Sequence, residues 1–321
     1  MHPVNRESEP SKYERLISRV QELPPAITVV AHPCDASSIS GAMEAAELGI
    51  IRPILVGPSA KILAAAKAAG VALGETRIVD VPHSHAAAQA AVELVQNGEA
   101  ELLMKGSLHT DELMAAVVSR ASNLRTERRI SHVFIMDVPT YHKPLIITDA
   151  AINIAPTLDD KADIIRNAVD LAHALGIAQP KVAILSAVET VTTKIPSTIE
   201  AGALCKMVDR GQIQGALLDG PLAFDNAISR EAAQTKGIVS EVAGDPDILV
   251  VPDLESGNML AKQLTFLAGA LAAGLVLGAR VPIILTSRAD SQKTRLASCA
   301  VAVLLVHAKR AAVAAVEASP A

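Results

Sequence analysis

Short runs of aliphatic and β-branched residues recur along the 321-residue chain, most of them separated by Ala- and Leu-rich segments, and this alternation narrows the fold more than any other feature. The runs are Ile27–Ala31, Ile54–Val56, Leu102–Met104, Val133–Asp137, Leu145–Thr148, Val182–Leu185, Ala216–Leu218, Ile248–Val251 and Ile283–Leu285. Their length and lack of polar alternation predict strands covered on both faces, hence a mostly parallel sheet joined by crossover helices. Helices are expected over Lys61–Ala69, His85–Gln96, Asp159–Ala174, Ser197–Asp209, Asn258–Leu277 and Ser291–Glu317, the stretch from Asn258 being read as long and fully buried. At this length the chain forms either one large α/β unit or two domains sharing a cleft.

Composition removes several classes of function. The only aromatic residues are Tyr13, Tyr141, Phe134, Phe224 and Phe266, too few for stacking a run of nucleic-acid bases. With 29 Lys and Arg against 34 Asp and Glu the net charge is −5, and no basic run offers a track for a phosphate backbone. Cys34, Cys205 and Cys299 lie far apart without CxxC spacing, which fits a reducing cytoplasm rather than a disulfide framework or thiolate metal site. Met1–Pro10 is polar and lacks the apolar core of a secretory signal. The apolar run Leu264–Leu285 is broken by Arg280 and Pro282, and its uncharged part falls short of the roughly 20 residues of a membrane span, so a buried helix leading into a strand is expected.

Polar residues follow several strands. Lys105-Gly106-Ser107, Ser186-Ala187, Asp219-Gly220-Pro221, Pro252-Asp253 and Ser287-Arg288 all sit where a strand is expected to end, and open α/β sheets bind ligands there. The sequence Leu285-Thr286-Ser287-Arg288-Ala289-Asp290-Ser291 places a hydroxyl, a guanidinium and a carboxylate within four residues ahead of a helix. Such a group can hold a phosphate or acyl oxyanion while the carboxylate takes a proton; Asp290 or Ser291 can equally cap the helix. GxxxxGK[ST], HExxH and GxSxG are absent. His83 and His85 follow Pro82 and are expected in a surface turn rather than on a metal.

Several ordered segments go beyond pattern. Val251-Pro-Asp-Leu-Glu-Ser-Gly-Asn258 and Gly278-Ala-Arg-Val-Pro-Ile-Ile-Leu-Thr-Ser-Arg-Ala-Asp-Ser291 closely resemble the phosphate acetyl/butyryltransferase family. So do Met104-Lys-Gly-Ser-Leu-His-Thr110, Ser186-Ala-Val-Glu-Thr190 with Lys194-Ile-Pro196, Cys205-Lys-Met-Val-Asp-Arg-Gly211 and Asp219-Gly-Pro-Leu-Ala-Phe-Asp225. The resemblance runs from about Ala26 to the C-terminus. It implies a two-domain α/β/α enzyme with mostly parallel sheets, related in fold to isocitrate and isopropylmalate dehydrogenases, and a cytoplasmic homodimer. Domain one would comprise 1–143 plus 280–321 and domain two 144–279, with the active site in the interdomain cleft; Pro139 and Pro144 mark the first crossing.

The implied reaction is reversible transfer of a short acyl group (acetyl, propionyl or butyryl) between CoA and inorganic phosphate in a ternary complex. CoA and acyl-CoA are substrates, and neither a permanently bound cofactor nor a metal is implied. Ser287 and Arg288 match the family's Ser-Arg pair, placing Arg288 on phosphate or oxyanion charge and Ser287 as hydrogen-bond donor, with Asp290 as the candidate general base. The acetyltransferase branch carries its aspartate six residues beyond the arginine, where this chain has Thr294, and an arginine where it has Phe266; the Ser-Arg-Ala-Asp-Ser form belongs to the butyryltransferase-like branch. Phe266 would suit a longer or branched acyl chain, or belong to the core. Lys105, Gly106, Ser107 and His109, with Arg125 and Arg129, would contact phosphate or the CoA phosphates, and Asp253, Ser256, Gly257 and Asn258 would meet CoA.

Two alternatives stand beside this reading: a non-catalytic family member, and a metal- and NAD(P)-dependent decarboxylating dehydrogenase on the related fold. The dehydrogenase would draw on Asp219, Asp225, Asp245, Asp247 and Asp253. The acyltransferase reading predicts that thiol release from acyl-CoA with phosphate continues undiminished in excess EDTA. Activity abolished by the chelator would favour the dehydrogenase.

Overall fold

The computed structural model describes residues 11–286 and 290–317. The chain begins α1 (Lys12–Gln21), β1 (Ala26–Ala31), α2 (Ala36–Glu47), β2 (Ile51–Gly57), α3 (Ser59–Ala69), β3 (Arg77–Asp80), α4 (Ser84–Gln96), β4 (Leu102–Lys105) and α5 (Thr110–Val118). It continues β5 (Ser131–Asp137), β6 (Leu145–Thr148), α6 (Leu158–Ala174), β7 (Lys181–Leu185), α7 (Pro196–Asp209) and β8 (Leu217–Leu222). Then come α8 (Phe224–Ile228), α9 (Arg230–Thr235), β9 (Ile248–Val250), α10 (Leu254–Leu267), β10 (Leu271–Leu277), β11 (Ile283–Ile284) and α11 (Gln292–Glu317). Every expected strand is present, Leu145–Thr148 with the ends expected and the others with adjusted ends, so the chain is a mixed α/β protein.

All these strands join one sheet in the order β3-β2-β1-β4-β11-β10-β5-β6-β9-β7-β8. It is mostly parallel; among the described residues only β10 with β11, β10 with β5 and β5 with β6 run antiparallel. Helix starts follow local chemistry. Asp35 caps α2 through the Ser38 amide, Thr157 and Asp160 form a capping box on α6, and Pro196 opens α7, where a missing N–H costs nothing.

The expected helix over Asn258–Leu277 is corrected. The helix ends at Leu267, Gly269 takes the left-handed region at φ +66°, and Leu271–Leu277 returns as a central strand. Alanine, leucine and valine suit either state, and here antiparallel partners on both sides decide. Nor is α10 fully buried: only Gly257 and Ala261 are, while Phe266 is 76% exposed, so Phe266 is not core. The Asp219-Gly220-Pro221 segment lies inside β8 rather than past a strand end.

Alternation sorts side chains onto the two faces of the sheet. On one face Ala26, Val30, Leu102, Met104, Val133, Ile135, Val182, Ile184, Leu275 and Ile284 form a single continuous core with α1, α2, α3, α6, α7 and α11. Among the described residues α11 is the one helix long and apolar enough to cross a membrane; its residues from Leu296 to Val306 belong to this core. The other face carries two separate clusters. One gathers Val29, Val56, Leu103 and Ile283 under α4 and α5, and the other gathers Met136, Ile147, Ala183 and Leu249 with α8, α9 and the inner side of α10.

The turn between β5 and β6, which contains Pro139 and Pro144, is pinned at several points. Lys12 pairs with Asp137 at 2.8 Å and donates to the Val138 and Tyr141 carbonyls. Lys143 pairs with Asp245 and Asp247, and the Tyr141 hydroxyl donates to the Pro246 carbonyl at 2.7 Å. Burial alone would raise the Asp245 carboxyl, but hydrogen bonds from Lys181 and Lys143 outweigh it and hold the group down at about 2. A carboxyl lowered on folding contributes stability above its unfolded pKa and loses that stability as pH falls through the folded value. Urea unfolding of Asp245→Asn at pH 7 should therefore show a loss of about 2 kcal/mol or less, and its stability should fall less steeply than the wild type's between about pH 4 and 2.

Candidate active site

Where the two clusters of the second face fail to meet, the strip over β11, β10 and β5 is left uncovered and forms a cleft of about 800 Å3. That volume lies within the range of about 300–1,000 Å3 typical of small-molecule sites. Its walls are the loop after β4 with the start of α5, the outer side of α10, and the segment leading into α11; its floor is His132, Phe134, Ala270, Leu271 and Ala272. A smaller apolar pocket of about 250 Å3 lies beneath α1, on the other face, and contains none of the expected site residues.

Four of the residues assigned catalytic or substrate-binding roles from the sequence line this cleft: Lys105, His109, Asn258 and Asp290. Lys105 closes β4 and points to the cleft side because it alternates with Met104, which belongs to the opposite core; its ammonium is largely buried and donates to the Gly106 carbonyl. His109 sits at the cap position of α5, and Asn258 is held by a bond from its amide to the Ala150 carbonyl at 3.1 Å. Ser287 and Arg288 lie outside the described residues; Thr286 and Asp290, which flank that segment in sequence, both line the cleft. Thr294 and Phe266 line it too, the first beside Ser291 and the second at the exposed end of α10.

The other expected residues have structural work nearby. A Cβ on Gly106 would lie 2.4 Å from the Ala31 carbonyl oxygen, so this turn admits only glycine. The Ser107 hydroxyl donates to the His32 carbonyl and accepts the Cys34 amide, holding His32 at a φ of 55°. Asp253 caps α10 through the Ser256 amide and hydroxyl, both at 2.8 Å. Gly257 lets α10 settle on Val251 and the Asp149 carbonyl, which a Cβ would meet at 2.7 and 2.9 Å, so the close approach there is to protein. Arg125 bridges Ala279 on the backbone, and the Arg129 side chain bonds Asn153 at 2.8 Å and pairs with Asp160; neither lines the cleft.

The Asp cluster proposed for a dehydrogenase metal is dispersed. Asp245 and Asp247 pair with lysines, Asp225 with Lys236, Asp253 caps a helix, and Asp219 accepts the Gly220 amide. Among the described residues no group of three or more His, Cys, Asp or Glu side chains is arranged to hold a metal ion. His83 caps α4 through the Ala86 amide, as a surface turn would.

Sequence reasoning missed two groups here. Arg295, buried in α11, donates to the Thr286 hydroxyl at 3.1 Å and to the Asp290 carbonyl, so one guanidinium ties together both ends of the segment carrying Ser287 and Arg288 in sequence. The signal was an arginine interrupting the apolar helix ahead of Leu296. The other is His132, on the cleft floor two residues before Phe134, a spacing that puts both on one face of a strand.

Residues 82–303 match the phosphate acetyl/butaryl transferase family, and the chain belongs to it. It is 66% identical to a phosphate acetyltransferase of Rhizobium meliloti, over 95% of this chain and 96% of that one. It is 42% identical to a phosphate butyryltransferase of Clostridium beijerinckii, over 91% and 97% of the two chains. The solved branched-chain phosphotransacylase of Enterococcus faecalis V583 superposes with a TM-score of 0.77 at 32% identity, covering 88% of this chain and 99% of that one. Of the two enzymes the acetyltransferase is nearer, against the lean toward the butyryltransferase-like branch drawn from Thr294 and Phe266.

The cap geometry yields a test. Replacing Asp253 by Ala should cost about 1 kcal/mol and lower Tm by a few degrees through loss of the α10 cap. A thermal melt beside a CoA titration checks this, and a weakened CoA affinity with an unchanged Tm would assign the carboxylate to the ligand instead.

Proposed function

We propose that this protein is a phosphate acyltransferase that moves a short acyl group reversibly between CoA and inorganic phosphate. The observation that carries the reading is the convergence of Lys105, His109, Asn258 and Asp290 on one cleft in a chain of the phosphate acetyl/butyryltransferase family. Membership with 66% identity to a phosphate acetyltransferase favours acetyl-CoA as the first substrate to assay. CoA and acyl-CoA act as substrates, and no permanently bound cofactor is needed.

In the direction of acyl phosphate formation, a phosphate oxygen attacks the thioester carbonyl carbon, the C–S bond breaks, and the electron pair leaves on sulfur. The phosphate proton ends on the thiol. Lys105 brings a largely buried positive charge to the cleft, where the phosphate dianion gains most from it. Arg288 would neutralise phosphate or oxyanion charge, Ser287 would donate to the developing oxyanion, and Asp290 would relay the proton. In the reverse direction the same carboxylate accepts the proton of the CoA thiol.

The finer architecture is proposed with it: a fold akin to isocitrate and isopropylmalate dehydrogenases, and two halves, 1–143 plus 280–321 and 144–279. The separate clusters on the cleft face support the division, since their buried members divide along it except at the seam, where Met136, Val138, Tyr141, Val276 and Ala279 cross over. A homodimer in the cytoplasm completes the proposal.

Following free thiol from acetyl-, propionyl- and butyryl-CoA with phosphate tests reaction class and substrate together. The wild type should release thiol only when phosphate is present, and Arg288→Ala should lower kcat by a factor on the order of 100 or more without a change in fold. Phosphate-independent release, or near-normal turnover of Arg288→Ala, would refute the reading or the role respectively.

A further inference from the structure

The cleft floor contains one polar side chain whose placement the fold alone does not account for. His132 lies on β5 and is 1% exposed, yet its Nδ1 atom has no hydrogen-bond partner in the protein. Leaving a buried polar nitrogen unsatisfied costs roughly 1–3 kcal/mol, and apolar residues take up most of the same strand face.

The ring is nevertheless held firmly. The His132 amide donates to Asp149 at 3.0 Å and its carbonyl accepts the Thr148 hydroxyl at 2.8 Å, so the backbone is pinned from the neighbouring strand. Phe134 meets the imidazole edge to face, with centroids 4.4 Å apart and planes at 70°. Across the ladder Gly274 stands opposite Phe134, and a Cβ there would come within 3.3 Å of His132 Nε2 and 2.8 Å of the Leu285 carbonyl oxygen. The missing side chain makes room for the ring between β5 and the end of β11. Burial pushes the imidazole down to about 4, against the opposing pull of Asp149, so the ring is neutral at physiological pH. A neutral imidazole offers one N–H donor and one acceptor and adds no charge to a site that must already receive anions.

Resting on the acyltransferase reading, we propose that His132 donates a hydrogen bond to the acyl carbonyl oxygen, with Phe134 and the small residues Ala270 and Ala272 forming the wall against which the acyl chain lies. The acyl end then occupies the apolar floor, while phosphate and the CoA thiol approach from the side of Lys105 and Asp290. During transfer the carbonyl carbon gains a bond to phosphate oxygen and loses its bond to sulfur. His132 keeps its proton throughout: its donor faces an oxygen that becomes more negative and returns to a carbonyl. A fixed donor of this kind acts chiefly on the transition state, so its loss appears in kcat more than in KM.

The test compares the wild type with His132→Leu and His132→Gln in the phosphate-dependent thiol-release assay, with a thermal melt for each. His132→Leu should lower kcat on acetyl-CoA by a factor on the order of 100 and leave KM for phosphate within about twofold, and His132→Gln, which restores an N–H, should recover at least about tenfold of the loss. Because leucine removes an unpartnered nitrogen, its Tm should hold or rise. Near-wild-type turnover of His132→Leu overturns the assignment. So does a loss that glutamine fails to recover, or one accompanied by a fall in Tm, since either makes the role one of packing. A wild-type chain that releases no thiol from any of the three acyl-CoA substrates overturns the acyltransferase reading itself, and this proposal with it.

Discussion

The antiparallel ladder between β5 and β10, running from Leu271 opposite Asp137 to Leu277 opposite Ser131, is the constraint on which the rest of the molecule depends. It sets a strand from late in the chain beside one from its middle and makes a single sheet of what are otherwise two parallel blocks. On one face the ladder is covered by α11 and merges into a continuous core. On the other face α4 and α5 cover one block and α8 to α10 the other, so the ladder between them stays open. A sheet with both faces fully covered would have no cleft; this one places its uncovered strip where the parallel strand β4 ends and α5, α10 and α11 begin.

Much of this was legible in the sequence. Strands such as Leu145–Thr148 and Val182–Leu185 declared themselves because a short aliphatic run buried on both faces suits little else. Leu271–Leu277 did not, because Ala-Ala-Gly-Leu-Val is compatible with helix and strand, and only the flanking ladders choose between them. Arg77–Asp80 was missed for the opposite reason: an edge strand with charged ends has no apolar run to read. The short helices α8 and α9 were hidden by their polar sequences, being stabilised by packing on β7 and β8 rather than by intrinsic pattern.

The site divides in the same way. Lys105 stood out as a polar residue past a strand end, and His109 and Asn258 through the segments that resemble the family; all three line the cleft. Asp253 and Gly257, expected to meet CoA, also have work within the protein that the sequence did not show: a helix N-terminus needs an acceptor, and a helix crossing close to the Asp149 carbonyl needs the absence of a Cβ. His132 was overlooked because a histidine inside a strand is usually read as a satisfied core residue, and only three-dimensional neighbours reveal that its Nδ1 is not satisfied. Arg295 was overlooked because its partners, Thr286 and the Asp290 carbonyl, lie nine and five residues before it, contacts that sequence spacing alone does not reveal. Family membership supplied the reaction, and the fold supplied the place where it can occur.

Amide hydrogen exchange in the presence and absence of acetyl-CoA tests most directly whether that open strip is the site of acyl transfer. Exchange should slow at residues 105–113, 258–266 and 270–272 and stay unchanged around the apolar pocket beneath α1. Protection confined to α1 and its neighbours, with none along the β5–β10 strip, would contradict the account.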